Sequence, residues 1–147
     1  MVEIVEQQTI ARPSDEVWAA LAAFDDISNW APNVDHSCLT TEQADGVGAI
    51  RRVQVGRNAM LEEIVEWQPG RELAYSITGL PPVVRSVTNK WCIDSSGANS
   101  RVSLTSIIDA GPRPPQQLVG RILGRVLAKA SRDMLGGLQR SLERDPA

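Results

Sequence analysis

The run Leu118-Val119-Gly120-Arg121-Ile122-Leu123-Gly124-Arg125-Val126-Leu127, continued to Leu142, decides the fold of this 147-residue chain. Apolar residues recur every fourth position at Leu118, Ile122, Val126, Ala130, Met134, Leu138 and Leu142. A second row, Val119, Leu123, Leu127 and Leu135, widens the stripe. That spacing predicts a helix of about 28 residues with one apolar face, roughly 40 Å long at 1.5 Å per residue. Gly120, Gly124, Gly136 and Gly137 each cost such a helix about 1 kcal/mol. Close approach of its backbone to a sheet would offset that loss. Arg121, Arg125 and Lys129 interrupt the segment, which excludes a membrane-buried Gly-x-x-x-Gly pair.

Upstream of this helix the period changes. A first strand runs to Ile10, with Ile4, Glu6, Gln8 and Ile10 on one parity and Val5, Gln7 and Thr9 on the other. Pro13 breaks it. Ser14 reads as an N-cap followed by Asp15 and Glu16, and Val17, Trp18 and Leu21 form one face of a short helix. Asp25 and Asp26 open a second short turn carrying Ile27 and Trp30, ended at Ala31-Pro32. Six strand-like runs follow, at Val34–Glu42, Val47–Gly56, Met60–Trp67, Leu73–Thr78, Val83–Asp94 and Arg101–Ala110. Turn chemistry fills each gap, for example Gln68-Pro69-Gly70, Gly79-Leu80-Pro81-Pro82 and Ser95-Ser96-Gly97-Ala98-Asn99. Short loops between consecutive strands imply an antiparallel meander. With no repeat or linker, residues 1–147 read as one α+β domain.

One helix can cover one face of a seven-stranded sheet only if the sheet curves around it. The two short helices then close one end of the gap. Six aromatic residues, Trp18, Phe24, Trp30, Trp67, Tyr75 and Trp91, are few to plug that interior. The order of elements therefore predicts an internal cavity.

Composition narrows the functional classes. The net charge of −3 argues against a general nucleic-acid binder, which needs many cations facing phosphates. Charge is uneven: from Arg113 onward there are seven basic and three acidic residues, read as the solvated face of the helix. No segment approaches the ~20 apolar residues of a membrane span, and the start lacks a signal pattern, so the expected location is cytoplasmic. Cys38 and Cys92 match no metal or redox spacing and are expected to be free thiols. No phosphate loop, dinucleotide fingerprint or zinc spacing occurs, so no cofactor or metal is expected.

The stretch Ile10-Ala11-Arg12-Pro13-Ser14-Asp15-Glu16-Val17-Trp18, followed by Phe24-Asp25-Asp26-Ile27-Ser28-Asn29-Trp30, resembles the opening motif of the START-like (SRPBCC) superfamily, in its polyketide cyclase/dehydratase branch. Gly46-Val47-Gly48-Ala49-Ile50-Arg51-Arg52-Val53, the pair Glu62-Glu63, and Trp91 with Arg101-Val102-Ser103-Leu104 resemble that branch's later strands. The resemblance covers residues 3 to about 142. It implies the helix-grip fold, a curved seven-stranded antiparallel sheet around a long C-terminal helix, with two short helices after the first strand. Function is less constrained, because this fold hosts carriers, cyclases and stress proteins alike.

Several side chains are candidates for the cavity. If Ile10 packs inward, so do Glu6 and Gln8; the alternative register puts Val5 and Thr9 inside. Arg51 and Arg52 split across the sheet, as do Glu62 and Glu63. By resemblance Glu62 shares a face with Ile64 and lines the cavity, where Arg51 could pair with it; the alternative is a structural pair on the exposed face. Tyr75, Asn89 and Trp91 suit an apolar pocket with a polar handle, although core packing also accounts for Trp91. Leu123 and Leu127 would close it from the helix. Trp18 and Trp30 read as structural, and His36 has no catalytic constellation around it. The leading expectation is binding or transport of a small hydrophobic molecule, lipid or polyketide-like, by a monomer or homodimer. The second is a cyclase/dehydratase in which Glu62 or Glu6 acts as acid/base and Arg51 polarises a carbonyl. The third is a toxin-like regulatory partner using the basic helix.

Overall fold

The structure is a computed structural model and describes residues 2–80, 84–111 and 114–144. Strand β1 (Val2–Ile10) is followed by helix α1 (Ser14–Ala22) and a 3-10 helix (Phe24–Asn29). Strands β2 (His36–Leu39), β3 (Ile50–Val55), β4 (Asn58–Gln68), β5 (Glu72–Thr78), β6 (Ser86–Ser96) and β7 (Asn99–Asp109) come next, then helix α2 (Pro114–Arg144). All seven strands form one antiparallel sheet in the order β1-β7-β6-β5-β4-β3-β2. The meander thus runs from β2 to β7, and β1 closes it by pairing along β7. This is the helix-grip arrangement.

Local chemistry explains where elements stop. β2 is shorter than its apolar run because residues 40–48 fold into their own loop. Thr41 Oγ1 donates to the Gln43 carbonyl and accepts from the Ile50 N–H, while Gln43 Nε2 donates to the carbonyls of Asp45 and Val47. Helix α1 differs from expectation at its start. Pro13, extended at φ −68° and ψ 159°, holds the cap position, and no side chain caps it; Ser14 is already helical. The Pro13 carbonyl accepts from Glu16 and Val17 instead. The start of the fifth predicted run, at Val83, and the Pro81-Pro82 turn lie outside the described residues.

Strand parity sets the inner face. Ile4, Glu6, Gln8 and Ile10 point inward on β1, and Val5 is exposed. Arg51 and Val53 point inward on β3, Glu62 and Ile64 on β4, Tyr75 and Ile77 on β5, and Asn89 and Trp91 on β6.

Helix α2 leans on one side of this sheet, against β1 and β7. A Cβ at Gly124 would lie 3.3 Å from Ile4 Cδ1, and one at Gly120 would lie 3.4 Å from Val2 Cγ2. The absence of side chains there lets the backbones approach. The resulting rotation corrects the predicted helix face. Leu118, Ile122 and Val126 are 56–59% exposed rather than packed, beside exposed Arg121, Arg125 and Lys129. Leu123 and Leu127 take the inward positions, and the stripe becomes fully buried only further on, at Met134, Leu135 and Leu138.

The aromatic residues gather at the opposite end from the exposed helix row. Trp18 meets Trp67, Phe24 meets Tyr75 and Trp30 meets Trp91, each edge to face with centroids 5.0–5.7 Å apart. All six aromatics of the chain are consumed in these pairs. The gap remaining among Leu21, Phe24, Trp30, Arg51, Leu73 and Trp91 holds only about 10 Å³. That end is filled.

Candidate functional site: an apolar cavity with a polar wall

Between the filled end and the leaning helix lies a cavity of about 240 Å³, the volume of roughly eight liquid waters. Leu123, Leu127 and Met134 form its helix side, and Val53, Met60 and Val87 are among the sheet residues opposite. Its lining is overwhelmingly apolar. The polar exceptions are Asn33, Glu62, Tyr75 and Asn89.

Three of these four belong to one buried network. Arg51 pairs with Glu62 across β3 and β4. Its Nε and Nη2 both donate to Glu62 Oε1, at 2.8 and 2.7 Å, and Nη1 donates to the Phe24 carbonyl at 2.7 Å. The guanidinium also lies over the rings of Phe24 and Tyr75, 3.8 and 4.7 Å from their centroids. Arg51 therefore ties the 3-10 helix to the sheet from behind the cavity wall, with its charge matched by Glu62. Glu62 Oε2 has no partner among the described residues. On the neighbouring strands, Asn89 Nδ2 and Trp91 Nε1 approach Tyr75 Oη at 3.4 and 3.3 Å, and Ser106 Oγ donates to Asn89 Oδ1 at 2.7 Å. Burial raises the pKa of the Tyr75 phenol, and the Glu62 charge adds to the rise; Arg51 and the bonds from Trp91 and Asn89 pull the other way. The group is a neutral phenol at any ordinary pH.

The expected site residues separate into three sets. Glu62, Tyr75, Asn89, Leu123 and Leu127 line the cavity together. Arg51, Ile64 and Trp91 stand behind it: Ile64 is fully buried in the core, and Trp91 packs into the filled end. Glu6 and Gln8 face inward but away from the cavity, because α2 lies directly over β1. Glu6 Oε1 accepts from Arg132 Nη1 at 2.6 Å, and Gln8 Nε2 donates to Gln139 Oε1 at 2.7 Å. Helix contacts replace the ligand contacts expected of these two. His36 is exposed on β2. Cys38 and Cys92 are free, on separate strands. Among the described residues no three His, Cys, Asp or Glu side chains converge to hold a metal, and no helix is long and apolar enough to cross a membrane.

Residues 1–143 match the family described as polyketide cyclase / dehydrase and lipid transport. The chain belongs to that family. Solved structures with the same fold include the Zhui aromatase/cyclase from Streptomyces sp. R1128, 22% identical over 97% of this chain and 94% of that one, with a TM-score of 0.79. The di-domain ARO/CYC BexL from the BE-7585A biosynthetic pathway is 18% identical over 97% of this chain and 47% of its own, with a TM-score of 0.80. A START superfamily protein from Mycobacterium smegmatis is 9% identical over 97% of both chains, with a TM-score of 0.75. No curated protein matches the sequence.

For this member of the polyketide cyclase / dehydrase and lipid transport family, sequence reasoning missed part of the lining. Val53 and Ile77 share parity with Arg51 and Tyr75, so extending the alternation along those strands would have found them. Asn33 lies in the loop after Pro32, where no periodicity operates. Its Oδ1 is buried and has no hydrogen-bond partner among the described residues.

Proposed function

We propose that this chain binds a small hydrophobic molecule in the cavity between α2 and β3–β6. The observation that carries this reading is the cavity itself: about 240 Å³ walled by Val, Leu and Met side chains, with a few polar groups gathered on one wall. Apolar side chains that face such a space lack contacts on one side. A ligand that fills it restores those contacts. The family description, which includes lipid transport, supports the same reading. Native mass spectrometry of protein purified from its own host is expected to show a co-purifying small molecule, and calorimetry is expected to show binding within a panel of aromatic and aliphatic compounds. An empty protein with no binder in the panel rejects the proposal.

A second reading, catalysis of the cyclase/dehydratase type, is favoured by one specific feature. Glu62 is held by Arg51 through one oxygen, leaving the other to the cavity as a base fixed in position. In that reading Glu62 takes a proton from the carbon between two carbonyls, the resulting carbanion adds to a further ketone of the same chain as its C=O π bond opens, and the alkoxide so formed takes the proton back from Glu62. Arg51 does not line the cavity, and this reading gives it the role of holding Glu62 in place. Incubation of the protein with a poly-β-keto substrate, with Glu62→Gln as control, tests this. Equal turnover by both forms rejects Glu62 as the base. The toxin-like alternative has no observation in its favour.

A further inference from the structure

The polar wall of the cavity has a definite pattern of donors and acceptors, which follows from what each group can do. Trp91 Nε1 is a donor only. The 2.7 Å contact between Ser106 Oγ and Asn89 Oδ1 has the length of an O–H···O bond, whereas the 3.4 Å contact from Asn89 to Tyr75 is too long for one. The Asn89 amide therefore turns its oxygen to Ser106 and its NH₂ to Tyr75. Tyr75 Oη consequently faces two N–H groups, those of Asn89 and Trp91, at the long distances of 3.4 and 3.3 Å, and can act toward both only as an acceptor. Its own hydrogen must point elsewhere, and no acceptor among the described residues receives it. Tyr75 is 1% exposed, and it is among the residues that line the cavity. Burial keeps the phenol protonated, and thus a donor.

The complementary group stands next to it. Glu62 pairs with Ile77 across β4 and β5, which makes Tyr75, two residues before Ile77 on the same face, its diagonal neighbour. Glu62 offers Oε2, a charged acceptor, to the same cavity. One free donor and one free acceptor thus sit side by side in otherwise apolar surroundings.

We propose that the cavity selects hydrophobic molecules that carry a hydroxyl group, accepted from Tyr75 and donated to Glu62. This rests on the ligand-binding reading above and adds the ligand's chemical class. A hydroxyl satisfies both groups at once. A ketone or ether can accept from Tyr75 but leaves Glu62 unmet. A carboxylate brings its negative charge against that of Glu62, so fatty acids are disfavoured despite their apolar tails. Alcohols and phenols share the required chemistry.

Calorimetric titration with naphthol, its methyl ether, naphthalene and naphthoic acid, together with decanol and decanoic acid, tests this on the full chain. Naphthol is expected to bind about tenfold more tightly than its ether or naphthalene, as befits bonds to a buried charged group, and each alcohol is expected to outbind its acid. A preference confined to naphthol or to decanol identifies the ligand as phenolic or aliphatic, and supports the hydroxyl rule within that class. Tyr75→Phe, which keeps the ring over which Arg51 lies, is expected to weaken naphthol and ether alike. Glu62→Gln is expected to weaken naphthol more than the ether, so that the preference of naphthol over its ether shrinks. If naphthol, ether and naphthalene bind equally, or if Tyr75→Phe leaves naphthol unchanged, the hydroxyl rule is wrong while the ligand-binding reading stands. If none of the six compounds binds, both fall.

Discussion

Tyr75 is the only tyrosine in the chain, so tyrosinate absorbance reports one buried group without ambiguity. Its folded pKa lies above the ordinary value of 10.0, because burial and the Glu62 charge both resist ionisation. Above about pH 10 the unfolded chain releases this proton while the folded chain retains it. Stability is therefore complete below that pH and declines as pH rises toward the folded pKa. Tyrosinate absorbance should appear later in the native protein than in urea, and Tyr75→Phe should remove this contribution to alkaline loss of stability. Coincident titration of folded and unfolded protein would refute the raised pKa. Arg51 and Glu62 supply a second prediction, since their side chains are only 3% and 8% exposed. Glu62→Leu alone strands a buried guanidinium and should cost ~3–5 kcal/mol, whereas pairing it with Arg51→Met should recover most of that loss. Denaturant midpoints of the two single variants and the double variant decide it. A double variant as unstable as the worse single would show that the pair supplies more than charge balance. Alternation in the sequence placed Glu62 with Ile64 and Arg51 opposite Arg52. It could not say which parity faced the helix, because that depends on which side of the whole sheet α2 covers.

Helix α2 shows where periodicity stops being informative. Its length and apolar content are local properties, and the sequence displays both. Its rotation about its own axis is not local. It depends on Gly120 and Gly124 meeting Val2 and Ile4, residues more than a hundred positions away in the chain. The row read from regular spacing, Leu118 to Leu142, is thus exposed at Leu118, Ile122 and Val126 and buried at Met134 and Leu138. Thermal unfolding can check the consequence. Ile122→Gln should change stability by no more than about 0.5 kcal/mol, whereas Leu138→Ala, at a fully buried position, should cost 2–5 kcal/mol. Equal losses would mean that the helix face is wrongly assigned. Near the other end of α2, a methyl group at Gly137 would overlap the Trp30 carbonyl oxygen and come within 2.6 Å of Pro32 Cδ. Gly137→Ala should therefore destabilise the protein despite its better helix propensity. Glu6 and Gln8 illustrate the same limit. Their inward parity was readable on β1, but their partners are Arg132 and Gln139, brought there by the lean of the helix.

At the scale of the molecule, element order alone carried the fold: a strand, two short helical segments, six strands and a long helix leave few ways to bury one sheet face. The cavity was less legible, because it is a difference between volumes that many distant residues supply. Six aromatics were correctly counted as too few to fill the interior, yet nothing local indicated that all would pair at one end. Any compound that binds in the remaining space is linked thermodynamically to folding. A compound at 100 times its Kd should raise stability by about 2.7 kcal/mol. Tyr75→Phe should reduce this gain for hydroxylated compounds and spare it for hydrocarbons.

The close contact of Gly124 with Ile4 lies beside the cavity-lining Leu123 and Leu127 without lining the cavity itself, and it works as a spacer. Were that contact thickened by a single methyl, the helix would stand off from β1, and the free space beside it would change shape although no lining residue had been touched. The shape of the cavity is therefore set in part by two small residues, Gly120 and Gly124, that do not line it.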